Sequence, residues 1–131
     1  MARISIENAK SHDEIEYAIR EAHSERGFDF SKEEWEAIKK AGYDKLDVAR
    51  LCCEYAVLAE VECYERYLII AWDKGPSEEA VLALLEHRYD QWVNIEENPE
   101  VESYCCEEWM IDGLTGIGDF QFFVLYGKYD E

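Results

Sequence analysis

The chain has 131 residues, with 31 Asp and Glu against 13 Lys and Arg, a formal net charge of −18, yet 48% of it is hydrophobic and 14% aromatic. That apolar share excludes an acidic disordered tail. The charge excludes direct binding to nucleic acid or to an anionic membrane, both of which rest on Lys and Arg.

The length fits one domain spanning residues 1–131. No run of about 18 uncharged apolar residues occurs, so no membrane-spanning helix is expected. Met1 to Lys10 lacks the apolar centre of a signal peptide, which predicts a cytoplasmic location.

Arg3-Ile4-Ser5-Ile6 alternates and predicts a short first strand. Ser11 followed by Glu14 reads as a capping box opening a helix with Ile15, Ala18, Ile19 and Ala22 on one face, stopped by Gly27. Ser31 and Glu34 repeat the box for a short helix that presents Trp35 and Ile38 and ends at Gly42. From about Asp44 the chain reads as a long buried helix. Leu46, Ala49, Cys53, Ala56 and Val57 share one face, and Leu51, Tyr55, Leu58 and Cys63 fill the remainder. Its end, Tyr67 to Trp72, is equally consistent with a strand, because periodicity does not separate the two in so short an apolar run.

Asp73-Lys74-Gly75-Pro76 is a break, and Ser77 caps the next helix, with Leu82, Leu85, Tyr89 and Trp92 as its buried stripe. Asn98-Pro99 predicts a helix restart running to Gly113. Thr115 to Gly118 reads as a turn, and Phe120 to Tyr126 as a strand able to pair with the first strand and with Tyr67 to Ala71. The expected fold is α+β and mostly α, with four to five helices and a small two- or three-stranded sheet that includes the C-terminal strand.

The charge is unevenly spread. Residues 1–77 hold 17 acids and 11 bases, whereas residues 78–131 hold 14 acids and two bases, Arg88 and Lys128, so the shorter part carries −12 of the −18. Glu79, Glu86, Asp90 and Glu97 recur at helical spacing opposite the Leu82/Leu85/Trp92 stripe. Glu96, Glu100, Glu102, Glu107, Glu108 and Asp112 follow around Pro99. Carboxylates one helical turn apart lie about 5–6 Å from one another, comparable with phosphates along a strand of nucleic acid. These ten residues are the candidate partner-binding surface. Tyr89, Trp92, Tyr104 and Trp109 stand among them as anchors should they be exposed.

Catalytic patterns are weak. His12, His23 and His87 lack metal-ligand or triad spacing and read as surface side chains. Gly113, Gly116 and Gly118 follow a helix and precede a strand, the reverse of a nucleotide-binding loop. Cys52, Cys53, Cys63, Cys105 and Cys106 are odd in number, form no C-x-x-C and read as reduced, mostly buried thiols. A metal site built from the two Cys-Cys pairs is the alternative. No enzyme activity, cofactor or metal is expected.

The segment Glu102-Ser103-Tyr104-Cys105-Cys106-Glu107-Glu108-Trp109-Met110-Ile111-Asp112-Gly113, followed by a turn and an aromatic strand, resembles the acidic-aromatic end of ArdA-type antirestriction proteins. The small, acidic, aromatic-rich composition resembles that of phage and mobile-element DNA mimics more broadly, anti-CRISPR proteins among them. The resemblance implies a non-catalytic inhibitor that occupies the basic nucleic-acid-binding groove of a restriction enzyme or CRISPR effector. Two other readings suit the charge: an immunity-type protein that neutralises a basic toxin, and an acidic adaptor domain. A homodimer would extend the negative surface.

Overall fold

The structure, a computed structural model, describes residues 5–61, 66–101, 105–118 and 120–128. In chain order these form α1 (His12–Arg26), α2 (Lys32–Lys40), α3 (Lys45–Cys52), β1 (Tyr55–Val61), β2 (Arg66–Trp72), α4 (Glu78–Val93), α5 (Cys106–Leu114) and β3 (Phe123–Lys128). Short 3-10 segments cover Ile6–Asn8 and Pro99–Val101. The fold is α+β and mostly α, with an antiparallel sheet in the order β1-β2-β3.

The helices start where side chains can satisfy their free N–H groups. Ser31 accepts from the Glu34 N–H at 3.1 Å while the Glu34 carboxylate accepts from the Ser31 N–H at 2.9 Å, a complete capping box. The box expected at Ser11 is half formed. Ser11 Oγ accepts from the Glu14 N–H at 3.2 Å, but the Glu14 carboxylate takes the Lys10 N–H at 2.9 Å instead. A third box, Asp44 with Asp47, opens α3 and went unread in the sequence. Ser77 caps α4 by accepting from the Ala80 N–H at 3.2 Å.

Four expectations need correction. Ile6 opens a 3-10 turn rather than continuing a strand, and Arg3 and Ile4 lie outside the described residues. The long helix from Asp44 ends at Cys52, and Tyr55–Val61 is a strand. The Glu54 N–H donates to Asp73 Oδ1 at 2.9 Å, which ties the start of β1 to the end of β2. β1 then pairs along its whole length with β2, from Tyr55 opposite Trp72 to Val61 opposite Arg66. The helix restart at Pro99 is a 3-10 turn, and α5 begins at Cys106. The last strand starts at Phe123 rather than Phe120, while its expected pairing with Tyr67 to Ala71 is present, on β2, the central strand.

Both faces of the sheet are covered. Val57 and Ala59 of β1 and Leu68, Ile70 and Trp72 of β2 pack with Val81 and Leu85 of α4 and with Cys106, Met110 and Leu114 of α5. The alternate residues Ala56, Ile69, Ala71 and Leu125 pack with Ala49 and Cys53. Beyond them Ile15, Ile19, Ile38 and Val48 form the core of α1–α3. The result is three layers: α1–α3, the sheet, and α4–α5. Leu68 to Trp72 are 0% exposed, which explains a continuous apolar run where a half-buried strand would alternate. The indole N–H of Trp72 donates to the Pro76 carbonyl at 3.0 Å, so its burial leaves no orphaned donor.

One glycine in the sheet has a packing reason. Gly127 lies opposite Tyr67 in the β2–β3 ladder, and the Tyr67 ring occupies the space a Cβ at 127 would need.

Candidate functional site

The layer of α4 and α5 differs from the layer of α1–α3 in its bases, not its acids. Residues 11–52 contain 11 acids and seven bases, and residues 77–118, an equal length, contain 11 acids and one base. That base, Arg88, is turned inward. Its Nε and Nη2 donate to the Trp109 carbonyl at 3.2 and 2.9 Å, and its guanidinium lies 3.6 Å from the centroid of the Trp109 ring. Arg88 therefore fastens α4 to α5. Leu84 and Arg88 approach Gly113 so closely that a Cβ there would come within 2.9 Å of Arg88 Nε.

Of the ten residues expected on the surface, Glu79, Glu86 and Asp90 are exposed along α4. Glu96 and Glu97 are exposed in the turn after it, and Glu100 in the 3-10 segment. Glu97 does not extend the α4 row, because the helix ends at Val93 and Asn94 carries the chain away. Glu108 and Asp112 are exposed on α5, Glu107 is half-buried, and Glu102 lies outside the described residues. Glu107 and Glu108 occupy the first turn of α5, where the helix dipole favours negative charge. The Cys105 thiol caps that turn, accepting from the Glu108 N–H at 3.4 Å. Oε1 of Glu107 is shielded from water without a hydrogen-bond partner among the described residues. The Tyr126 phenol on β3 is pushed above its ordinary value by partial burial first, and then by the nearby Glu107, Cys105 and Glu108. The carboxylates thus share one layer but form two runs, one along α4 and one at the start of α5, separated by a turn.

The buried stripe of α4 is Val81 and Leu85, at 0% exposure, while Leu82, Tyr89 and Trp92 are only partly buried. Leu82 and Tyr89 lie to the side of the stripe and reach a groove of about 420 Å³ between β1 and α4. Leu58, Ala59, Glu60, Leu82, Glu86, Tyr89, Asp90 and Met110 line it. Glu60 and the groove itself were not legible in the sequence, because they depend on β1 being a strand beside α4. Among the expected anchors, Trp92 and Trp109 are also partly buried, and Tyr104 lies outside the described residues. Among the described residues, the large exposed apolar side chains are instead Tyr17, Val93, Phe123 and Tyr126.

The first layer offsets part of its charge, with seven bases to 11 acids. Arg26 grips Glu34 with two hydrogen bonds of 3.0 and 2.8 Å, and with the Ser31 N–H this holds the Glu34 carboxyl at about 2. Arg20 donates to the Leu51 carbonyl at 3.1 Å. Lys45 donates to the Tyr126 carbonyl at 2.7 Å and lies 5.3 Å from the centroid of the Trp35 ring.

His12 and His87 are exposed, but His23 is not an ordinary surface side chain. It packs 4.3 Å from Phe28 and 5.0 Å from Phe123, ring centroid to centroid, and burial lowers its pKa. Cys52, Cys53, Cys105 and Cys106 are free thiols, and Cys63 lies outside the described residues. Burial pushes Cys52 up to about 12 and Cys53 up to about 11, so neither is a ready nucleophile near neutral pH. Cys105 is exposed, which corrects the expectation that it is a packed thiol. Among the described residues, no three His, Cys, Asp or Glu side chains are placed to hold a metal ion, and no helix is long and apolar enough to cross a membrane. No protein family, curated protein or solved structure matches the chain.

Proposed function

We propose that the chain is a non-catalytic inhibitor. Its α4–α5 layer takes the place of nucleic acid in the basic groove of a host defence protein, such as a restriction enzyme or CRISPR effector. One observation carries the reading: the 11 acids of residues 77–118 are accompanied by a single base, and that base is engaged with Trp109. A solvated helical face normally interleaves both signs, since unrelieved like charges repel one another. A surface so depleted of cations is suited to a partner that supplies them. Steering by such a field gives fast association that weakens with salt. The acidic-aromatic α5 region is also the segment that resembles ArdA-type antirestriction proteins.

The test is a titration of Lys/Arg-rich nucleic-acid-binding proteins with this chain, using DNA as competitor. Mutually exclusive binding that fades toward about 0.5 M salt is expected, where the screening length falls below about 5 Å. Binding indifferent to both DNA and salt would show that the surface does not act as a nucleic-acid mimic.

A further inference from the structure

Three successive residues of β1, Leu58, Ala59 and Glu60, line the groove beside α4. Side chains alternate along a strand, so a pocket on one face of the sheet would meet only every second residue. Ala59 faces α4 and α5, Leu58 packs toward α1–α3, and alternation puts Glu60 on the same side as Leu58. The groove therefore runs along the outer edge of β1, with Leu82, Glu86 and Asp90 of α4 as its other wall and Met110 behind.

That edge is open and unguarded. β1 comes first in the sheet order, and among the described residues it pairs with β2 alone. At alternate positions its N–H and C=O groups point away from β2, and from Leu58 to Glu60 the edge borders the groove. Edge strands are commonly blunted by lysine, proline or a bulge. Tyr55–Val61 contains no Lys, Arg or Pro and pairs in unbroken register. The opposite edge differs: Lys45 donates to the Tyr126 carbonyl of β3, and that strand ends in Lys128.

We propose that an extended segment of a basic protein partner adds to this edge as a fourth strand, seated between β1 and α4. The inference rests on the reading of α4–α5 as a surface for a basic partner and names the form in which that partner binds. Main-chain pairing to β1 supplies affinity, and the groove selects side chains. Side chains on the α4 side of the added strand meet Leu82 and Met110, with the exposed Glu86 and Asp90 beside them. Those on the other side pass the exposed Glu60. Both sides therefore favour Lys or Arg alternating with apolar residues. A helical segment leaves the edge of β1 unpaired, because its own backbone groups bond internally. A second copy of this chain, paired β1 to β1, would bring like charges together at Glu60, Glu86 and Asp90.

The experiment uses the full chain, labelled with nitrogen-15, and three hexapeptides: alternating arginine and valine, the same sequence N-methylated at every residue, and alternating glutamate and valine. The arginine peptide is expected to bind saturably, with amide shifts centred on Leu58–Glu60 and on the α4 residues that face them. It should slow hydrogen exchange at alternate amides of Tyr55–Val61 about tenfold or more, the period of a newly paired edge. The N-methylated peptide keeps the charge but has no N–H to donate, and should bind about tenfold more weakly. The glutamate peptide should not bind. Equal affinity for the methylated peptide, protection without alternation, protection on β3 instead, or binding of the glutamate peptide would each overturn strand addition at β1. So would protection of β1 that rises with protein concentration in the absence of peptide, which would assign the edge to a second copy. Failure of the inhibitor reading shows separately, as partner binding that DNA does not displace.

Discussion

The two helical layers are built with the same number of acids and differ in what surrounds them. In the first layer several carboxylates are tied into helix caps, and Glu34 into an ion pair as well. Glu34 alone takes the Ser31 N–H and both arms of Arg26. In the second layer most carboxylates stand in water, and the one cation of residues 77–118 is spent on a backbone carbonyl and an aromatic ring. An acidic surface is thus made by withholding bases as much as by adding acids. The arrangement also shows how the molecule tolerates −18. The repulsion is concentrated on one side of a sheet whose central strand is sealed on both faces.

The sharpest way to break the comparison is to reverse charge in each layer separately. Glu97, Glu100, Glu107 and Glu108 changed together to Lys should weaken partner binding by about a thousand-fold or more, roughly 4 kcal/mol. Asp13, Asp29, Glu33 and Glu36 changed to Lys should leave binding within about tenfold, with circular dichroism confirming the fold of both variants. Matching losses would mean that net charge, not the layer, determines binding.

The next largest effect concerns how α4 and α5 are held. Trp72→Ala removes a fully buried ring from beneath that layer and should cost about 3 kcal/mol in urea denaturation. Gly113→Ala puts a Cβ against Leu84 and Arg88 and, after the gain in helix propensity, should cost about 1 kcal/mol with a loss of partner affinity. A Gly113→Ala variant as stable as the parent would show that α4 and α5 are not held at that close approach.

Two smaller effects belong to the first layer. Glu34→Gln should cost about 1 kcal/mol, kept modest by the half-exposed Arg26, and should leave partner binding unchanged. Because the Glu34 carboxyl is depressed to about 2 from an ordinary 4.5, its contribution is complete above pH 4.5 and is lost as pH falls through about 2. The parent's stability should therefore decline more steeply than the variant's over that window. His23 is lowered chiefly by burial, with Gly27 and Asp73 partly opposing, so the fold favours the neutral ring. Its contribution is complete above about pH 6.5 and declines as pH falls from there toward the lowered folded-state value. His23→Gln should flatten the urea-midpoint profile between pH 7.5 and 5.5, and an unchanged slope would remove His23 as its source.

Local rules were readable where a short stretch of chain decides the outcome. Ser31 with Glu34, Ser77, the break at Asp73 to Pro76 and the apolar face of α1 all act within a few residues, and each is found in the structure. Tyr55–Val61 failed for the opposite reason. A strand buried on both faces has apolar residues at successive positions, and Tyr-Ala-Val-Leu-Ala fits a buried helix equally well. Its state is set by the ladder to β2 and by Asp73, residues distant in sequence. Asn98-Pro99 failed more locally, giving a 3-10 turn where an α-helix was expected.

The candidate surface divides along the same line. Composition and period are properties of the chain, so the scarcity of bases in residues 78–131 and the recurrence of acids at helical spacing along α4 are legible in it. Long-range packing is what brings the described acids of α4 and α5 into one layer, turns Arg88 onto the Trp109 carbonyl, and leaves a groove between β1 and α4. Those facts depend on which segments meet across the sheet. That is settled by burying Leu68 to Trp72 on both faces, a long-range requirement no window of sequence contains.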